Sequence, residues 1–317
     1  MLPRAGERVV RISVLISVGV FLANLAVSFG AVERIAGVSR FLTGPANLPD
    51  EVGTAILTTA ASTTAGYGML ADFRESGRLS DRATLVAVTI NTFFGFTQHI
   101  FTFYAPVIVP ILGRETGLLY VGTRGAIALG ITLTGVVAGA VLLTDRDVDE
   151  TVTVETDATE TAADGGSEGG PRAAVAEAWS STAGKLRSIV PRLAAVYLLV
   201  SVLAAAEAFR SLSAAAGPLA EVAGLPAAAV PVIVVFAFDT TAGAATVAPL
   251  IGGTLTVDQA VVTMLLGGIV TFAVSTFKRS IPFQYGIWGA SFGSKVIVVN
   301  TVLKVVFISG AVVWFLI

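Results

Sequence analysis

Hydrophobic residues run in long blocks along this chain, with short polar interruptions between them. Ile12 to Val32 is an uncharged run of 21 residues behind Arg4, Arg8 and Arg11. That length spans the roughly 30 Å of a bilayer's hydrocarbon as a helix, and it exceeds the apolar core of a signal peptide. A retained first helix with its basic end on the cytoplasmic side is expected. Residues 33–50 are mixed and carry Gly44-Pro45 and Pro49, which predicts a short interfacial helix and a turn. Val52 to Ala71 is uncharged but rich in Thr and Ser, so it should face protein or a water-filled cavity rather than lipid. A polar loop follows at 72–82, with three arginines. Ala83 to Gly113 then offers 31 residues without Asp, Glu, Lys or Arg. At 1.5 Å per residue this is too long for one untilted span. Pro106 and Pro110 predict a full helix to about Phe103 and a short second piece. Gly125 to Thr144 is a further uncharged run of 20, which makes Arg124 an interfacial anchor at the head of that helix.

Residues 145–186 change character. Nine acidic residues lie between Asp145 and Gly170, with many Thr and a Gly-rich end. Such a stretch buries too little apolar surface to order itself and reads as a flexible linker; its acidity points to a halophilic, high-salt source. Beyond it the pattern resumes. A helix is expected at about 188–208, followed by Gly217-Pro218, Leu225-Pro226, an apolar run at 227–252, a helix at 257–277, a break at Lys278-Arg279 and Pro282, and a last helix at 294–317.

The second series of blocks repeats landmarks of the first. Ser62-Thr63-Thr64-Ala65-Gly66 and Asp239-Thr240-Thr241-Ala242-Gly243 lie 177 positions apart, and the same offset takes Leu48-Pro49 to Leu225-Pro226 and Asp81 to Asp258. Ala105-Pro106 meets Ile281-Pro282 at an offset one shorter. The expected organisation is a first membrane unit at 1–144, the linker at 145–186, and a second unit at 187–317. The fold class is all-α: a polytopic integral membrane protein with about eight to ten transmembrane or re-entrant helices in two copies. Lys278, Arg279 and Lys295 fall on the wrong side of a simple eight-span plan, which favours inverted repeats, a plan found in secondary transporters.

Composition agrees with the pattern. The chain is 54% hydrophobic and 13% charged, with a mean hydropathy of +0.83, against about 25% charged residues in soluble domains. Cys is absent and His99 is the one histidine, which removes disulfides, thiolate metal sites and cysteine nucleophiles. No cofactor and no metal site are expected. An enzyme is not expected either: Ser62 lacks a G-x-S-x-G setting, and Asp239 has no second intramembrane aspartate beside it.

The candidate chemistry lies in the T-T-A-G segments. Ser and Thr back-bond to their own helix and Gly weakens it, so backbone groups of Thr63, Thr64, Gly66, Thr240, Thr241 and Gly243 can be freed to meet a solute. Asn91 and Gln98 lie along the long helix behind the first segment and complete the expected substrate-binding set. Asp239 deep in an apolar run, His99, and Lys304 well inside the last helix are the candidates for ion or proton coupling. Lys304 either pairs with an acid such as Asp239 or snorkels to the interface.

The duplicated unit, with T-T-A-G in a broken apolar segment and Asn91-Thr92-Phe93-Phe94-Gly95-Phe96-Thr97-Gln98-His99 behind it, resembles the nucleoside recognition or Gate domain. That domain occurs in nucleoside transporters, ferrous-iron permeases and archaeal membrane proteins. The resemblance implies a multi-pass cell-membrane protein with two gate units. The expected function is a secondary transporter or permease for a small polar solute, nucleoside-like in the family's terms, held between the two T-T-A-G segments. The alternative is a non-transporting membrane subunit that partners another protein. Lipid and a small solute are the expected partners, with no nucleic acid; a homo-oligomer or a partner subunit is compatible with either reading. No GxxxxGK[ST] loop is present, so a GTPase-coupled iron permease is not encoded here.

Overall fold

A computed structural model describes residues 40–149, 151–152, 224–275 and 280–317. The expected first helix at 12–32, the helix at about 188–208, the linker beyond Val152 and the Lys278-Arg279 break lie outside the described residues. Among the described residues all extended regular structure is helical. After a short lead-in, α1 is Asp50–Ala61, α2 Thr63–Glu75, α3 Asp81–Ile90 and α4 Thr92–His99. A π-helix, Ile100–Ile108, and a short turn, Val109–Leu112, prolong α4. Then come α5 (Arg114–Leu142), α6 (Ala229–Phe238), α7 (Thr240–Val247), α8 (Val257–Ser275) and α9 (Ile281–Leu316).

Both T-T-A-G segments break their helix in the same way. Ser62 is extended (φ −141°, ψ 108°) and its hydroxyl accepts from the amide of Ala65, capping α2. Asp239 is extended (φ −152°, ψ 118°) and its carboxylate accepts from the amide of Ala242, capping α7. Ser and Asp are favoured N-caps, worth about 1 kcal/mol over Ala. Beyond the cap the chain doubles back. A Cβ on Gly66 would lie 2.6 Å from the carbonyl oxygen of Ala55, and one on Gly243 would lie 2.5 Å from the Cα of Phe236. Only glycine lets α2 and α7 press onto α1 and α6 this closely. Two helical hairpins result, with Ser62 and Asp239 at their tips. With no helix in either hairpin exceeding 13 residues, about 20 Å, each arm is shorter than a hydrocarbon core.

Among the described residues, three helical stretches are long and apolar enough to cross a membrane: Asp81–Leu112, Arg114–Leu142 and Ile281–Leu316. The first is not straight. It breaks at Asn91 and widens to a π-helix around Pro106. Pro106 does not end the helix near Phe103, as its sequence position suggests. Proline lacks an N–H and crowds the carbonyl four residues back, and the wider turn absorbs that mismatch. The stop comes at Gly113 (φ 82°, ψ 165°); its counterpart 176 positions on, Gly289 (φ 71°, ψ 166°), interrupts α9 in the same conformation. This positive φ with extended ψ is a glycine region.

Polar side chains gather at one end. Asp81 holds Arg74 at 2.7 Å and Lys295 at 2.8 Å. Buried Arg78 reaches Glu51 at 3.3 Å and donates to the carbonyl of Asp149 at 2.7 Å. Ser80 donates to Asp147 at 2.8 Å. The first residues after Thr144 are therefore not a free linker: Arg78 and Ser80 tie them to the 76–80 loop. Hydrogen bonds from the Thr144 amide and from Ser80 stabilise the Asp147 carboxylate and hold it below its ordinary range. Lys295 meets Asp81 here, and α5 also finishes here, so α5 and the part of α9 beyond Gly289 run antiparallel. Consistently, Gly130 near the middle of α5 is crossed by Phe307 of α9.

Each hairpin packs on the proline-bearing segment of the other half. Tyr67 of α2 makes edge contacts with Phe283 and Trp288, while α7 packs on the Ile100–Leu112 stretch that carries Pro106 and Pro110, and Phe236 of α6 meets Tyr120 of α5. Buried residues accordingly form two clusters, one around Phe94, Leu70 and Phe292, the other around Tyr120, Phe236 and Leu265. The outer faces of α5 and α9 leave Val137, Val141, Val298, Val306 and Trp314 exposed, as a lipid-facing surface requires.

Candidate functional site

The break at Asn91 organises the site. Asn91 is 1% exposed. Its Nδ2 donates to Thr59 Oγ1 at 3.0 Å, and Thr59 Oγ1 in turn donates to the carbonyl of Ala55 at 3.1 Å. Because the Thr59 proton is committed, its oxygen must accept, and this fixes the amide's orientation. Asn91 Oδ1 is left buried with no hydrogen-bond partner among the described residues. Thr132 of α5, fully buried, bridges the break itself: it accepts from the amide of Phe93 at 3.1 Å and donates to the carbonyl of Ile90 at 2.8 Å. A backbone opened inside a bilayer needs such partners.

Asn91 faces a cavity of about 230 Å³. The tip of the first hairpin closes one side, where Thr63 Oγ1 donates to Gln98 Oε1 at 2.6 Å. His99 lines the wall, its Nδ1 bonded to the carbonyl of Gly95 at 2.8 Å. The opposite wall belongs to α5 and α9 and carries Arg124, Asn300 and Lys304. Arg124 lies beside Tyr104 and Tyr120, with its Nη1 close to Gly268 of α8. Lys304 stands 5.7 Å from the ring centre of Phe272, a cation–π distance. Among the described residues no salt bridge reaches either cation and no carboxylate lines the cavity.

Orphaned polar atoms concentrate here. Of four buried side-chain oxygens without a partner among the described residues, Asn91 Oδ1, Thr92 Oγ1 and Asn300 Oδ1 all belong to residues lining this cavity. Buried polar groups are nearly always paired, so three orphaned oxygens on residues around one cavity set its wall apart from the rest of the described core. Arg124 and Asn300 are 176 positions apart, the offset that relates Gly113 to Gly289. The cavity is lined from α2, α4, the π-helix, α5 and α9.

Of the residues singled out in the sequence, Thr63, Asn91, His99 and Lys304 line the cavity, and Gln98 joins it through Thr63. Thr64 is exposed at the hairpin tip, and Gly66 is consumed in the seam with α1. Thr240, Thr241 and Gly243 belong to the second hairpin, whose α7 packs on the 100–112 segment; they do not line the cavity. Asp239 is an N-cap, the same duty Ser62 performs in the first hairpin. Lys304 faces the cavity and Phe272, and no salt bridge joins it to Asp239.

Arg124 is the residue the pattern misplaced. The helix begins at Arg114, ten residues earlier, so Arg124 lies about 15 Å along it and lines the cavity instead of heading the helix. The signal was present: Gly117 to Val121 is as apolar as the run behind Arg124, so the charge interrupts a helix instead of starting one. Asn300, a polar residue in an apolar run, carried the same signal as Asn91.

No protein family profile matches the chain, and no solved structure matches it. Curated relatives come from the archaeon Methanocaldococcus jannaschii. Uncharacterized protein MJ0871 is 24% identical over 304 residues, covering 93% of this chain and 89% of the relative. Uncharacterized protein MJ0880 is 23% identical over 299 residues, covering 93% of each. Uncharacterized protein MJ1556 is 26% identical over 133 residues, 42% of each chain.

Proposed function

We propose that this protein is a polytopic membrane permease for a small polar solute, and that the cavity between Asn91, Arg124 and Lys304 is the solute site. The observation that carries this reading is the group of three orphaned oxygens and two cations around one void, within helices of membrane length. Ionisable groups at such depth are costly and mark solute or ion paths. The architecture supports the same reading. Two capped hairpins at an offset of 177, matching Gly breaks at an offset of 176, and antiparallel α5 and α9 are what an inverted repeat would produce. Transporters of that plan bind solute where the repeats meet, beside discontinuous helices, and move one repeat against the other.

Size narrows the solute. A volume of about 230 Å³ is room for roughly eight waters, and it lies below the range of pockets for drug-sized ligands, about 300–1,000 Å³. A solute of fewer atoms than a nucleoside fits it better. The test is uptake by proteoliposomes holding the purified full chain, across a panel of labelled small polar solutes and one nucleoside. Saturable uptake of a small solute, reduced severalfold in Thr63→Val, is expected. Absence of uptake for every solute would overturn the permease reading and leave a non-transporting subunit.

A further inference from the structure

We propose that the cavity selects a small hydroxy-carboxylate: an anion whose carboxylate faces Arg124 and Lys304 and whose hydroxyl donates to Asn91. This rests on the cavity being a ligand site and deepens the permease reading by naming the solute class.

Charge gives the first half. Arg124 and Lys304 share one small void, and among the described residues no carboxylate lines it and no salt bridge reaches either cation. Two cations that, among the described residues, meet a tyrosine and a ring but no carboxylate repel each other, and an anion between them removes that cost. Guanidinium and ammonium groups are also the strong donors for a carboxylate. An ammonium-bearing solute is disfavoured, since its cation would join two of the same sign.

Hydrogen bonding gives the second half. A bare anion only accepts. Asn91 Oδ1 is also an acceptor, and its orientation is fixed because Asn91 Nδ2 is committed to Thr59. Asn300 Oδ1 and Thr92 Oγ1 are orphaned beside it. A ligand that satisfies Asn91 must bring an O–H or N–H donor. A donor and a carboxylate within about eight heavy atoms, the room available, describes lactate or glycerate in chemical type, with malate one atom larger. Inorganic phosphate shares the anionic and O–H character but is smaller than the void.

The experiment is a binding comparison on the detergent-purified full chain by thermal shift and calorimetry. The probes are L-lactate, glycerate and malate; acetate, which has the charge without the donor; propane-1,2-diol, which has donors without the charge; L-alanine; and inorganic phosphate. Hydroxy-carboxylates are expected to bind about tenfold or more tightly than acetate, the change that one unpaired buried acceptor produces. Diol and alanine are expected to give no shift. Lys304→Gln and Arg124→Gln should each weaken hydroxy-carboxylate binding about tenfold or more. Equal binding of acetate and lactate would overturn the donor half, and tighter binding of phosphate would replace the carboxylate. Binding of the diol alone would overturn the anion half, and binding of alanine as tightly as lactate would overturn the exclusion of an ammonium group. These selectivities are read on the wild-type chain, so they decide the matter even if a variant fails to fold. Lactate binding without transport would refute the permease and spare this proposal; transport of an uncharged solute would do the reverse.

Discussion

Gly66 and Gly68 are two residues apart in the same helix, yet opposite outcomes are expected when each becomes alanine. Alanine is favoured over glycine in a helix interior by about 1 kcal/mol, and that gain should appear where the new methyl has room. At Gly68 nothing lies within 4 Å of an added Cβ, so Gly68→Ala should stabilise the protein by about 0.5–1 kcal/mol. At Gly66 the same Cβ would overlap Thr59 Oγ1 and lie 2.6 Å from both the Ala55 carbonyl oxygen and the Thr59 amide nitrogen. Two of these three atoms are backbone and cannot swing away. Overpacking of this kind costs about 1–3 kcal/mol, and it also pushes Thr59 off Asn91, breaking the bond that orients the amide. The net effect of Gly66→Ala should be a loss of up to about 2 kcal/mol after the propensity gain is subtracted. Thermal unfolding of the detergent-purified chain, with both variants side by side, reads the sign directly. A Gly66→Ala protein as stable as Gly68→Ala would refute the close-packed hairpin.

Further outcomes follow from the same geometry. Thr132→Val should cost about 1–3 kcal/mol, because the Ile90 carbonyl and Phe93 amide lose their bridge, while Thr132→Ser should cost less; thermal unfolding checks both. The Asp147 carboxylate sits below its ordinary range in the fold. The stabilisation it provides is complete above the unfolded value of about 3.9 and is lost as pH falls through the lower folded value. Limited proteolysis at graded acid pH should show the 144–149 segment loosening there, and Asp147→Asn should be loose throughout. The chain has no cysteine, so single cysteines report sidedness cleanly. Arg82→Cys and Lys295→Cys should be labelled from one face of sealed vesicles and Arg114→Cys from the other; Lys295 labelling with Arg114 would contradict the antiparallel arrangement of α5 and α9.

What was legible in the sequence was whatever depends on local chemistry. The helix breaks at Ser62 and Asp239 could be read because T-T-A-G combines hydroxyls that back-bond with a glycine that lowers helix stability. The long apolar runs could be read because only lipid or a deep core accommodates them. Asn91 and Thr63 were legible as polar residues in apolar surroundings. What was not legible depended on contacts distant in the chain. The capping duty of Asp239 could not be read, because sequence does not show that its carboxylate points at the next turn's amide. Pro106 looked like a terminator because the π-helix that accommodates it is set by packing on α5 and α7. Arg124 looked interfacial because the helix start at Gly113 requires a positive φ that a run of apolar letters conceals. Asn300 and Lys304 reach the cavity only because α9 crosses α5 there.

As a solute site, the cavity should open to both faces of the membrane. Thr92→Cys places one thiol in the cavity wall of an otherwise cysteine-free chain. The decisive measurement is its labelling by a membrane-impermeant thiol reagent, applied in turn to each face of oriented proteoliposomes, with and without saturating L-lactate. The account predicts labelling from both faces, and lower rates when lactate is present. A thiol that no reagent reaches from either face, or one labelled at the same rate with lactate, would contradict it.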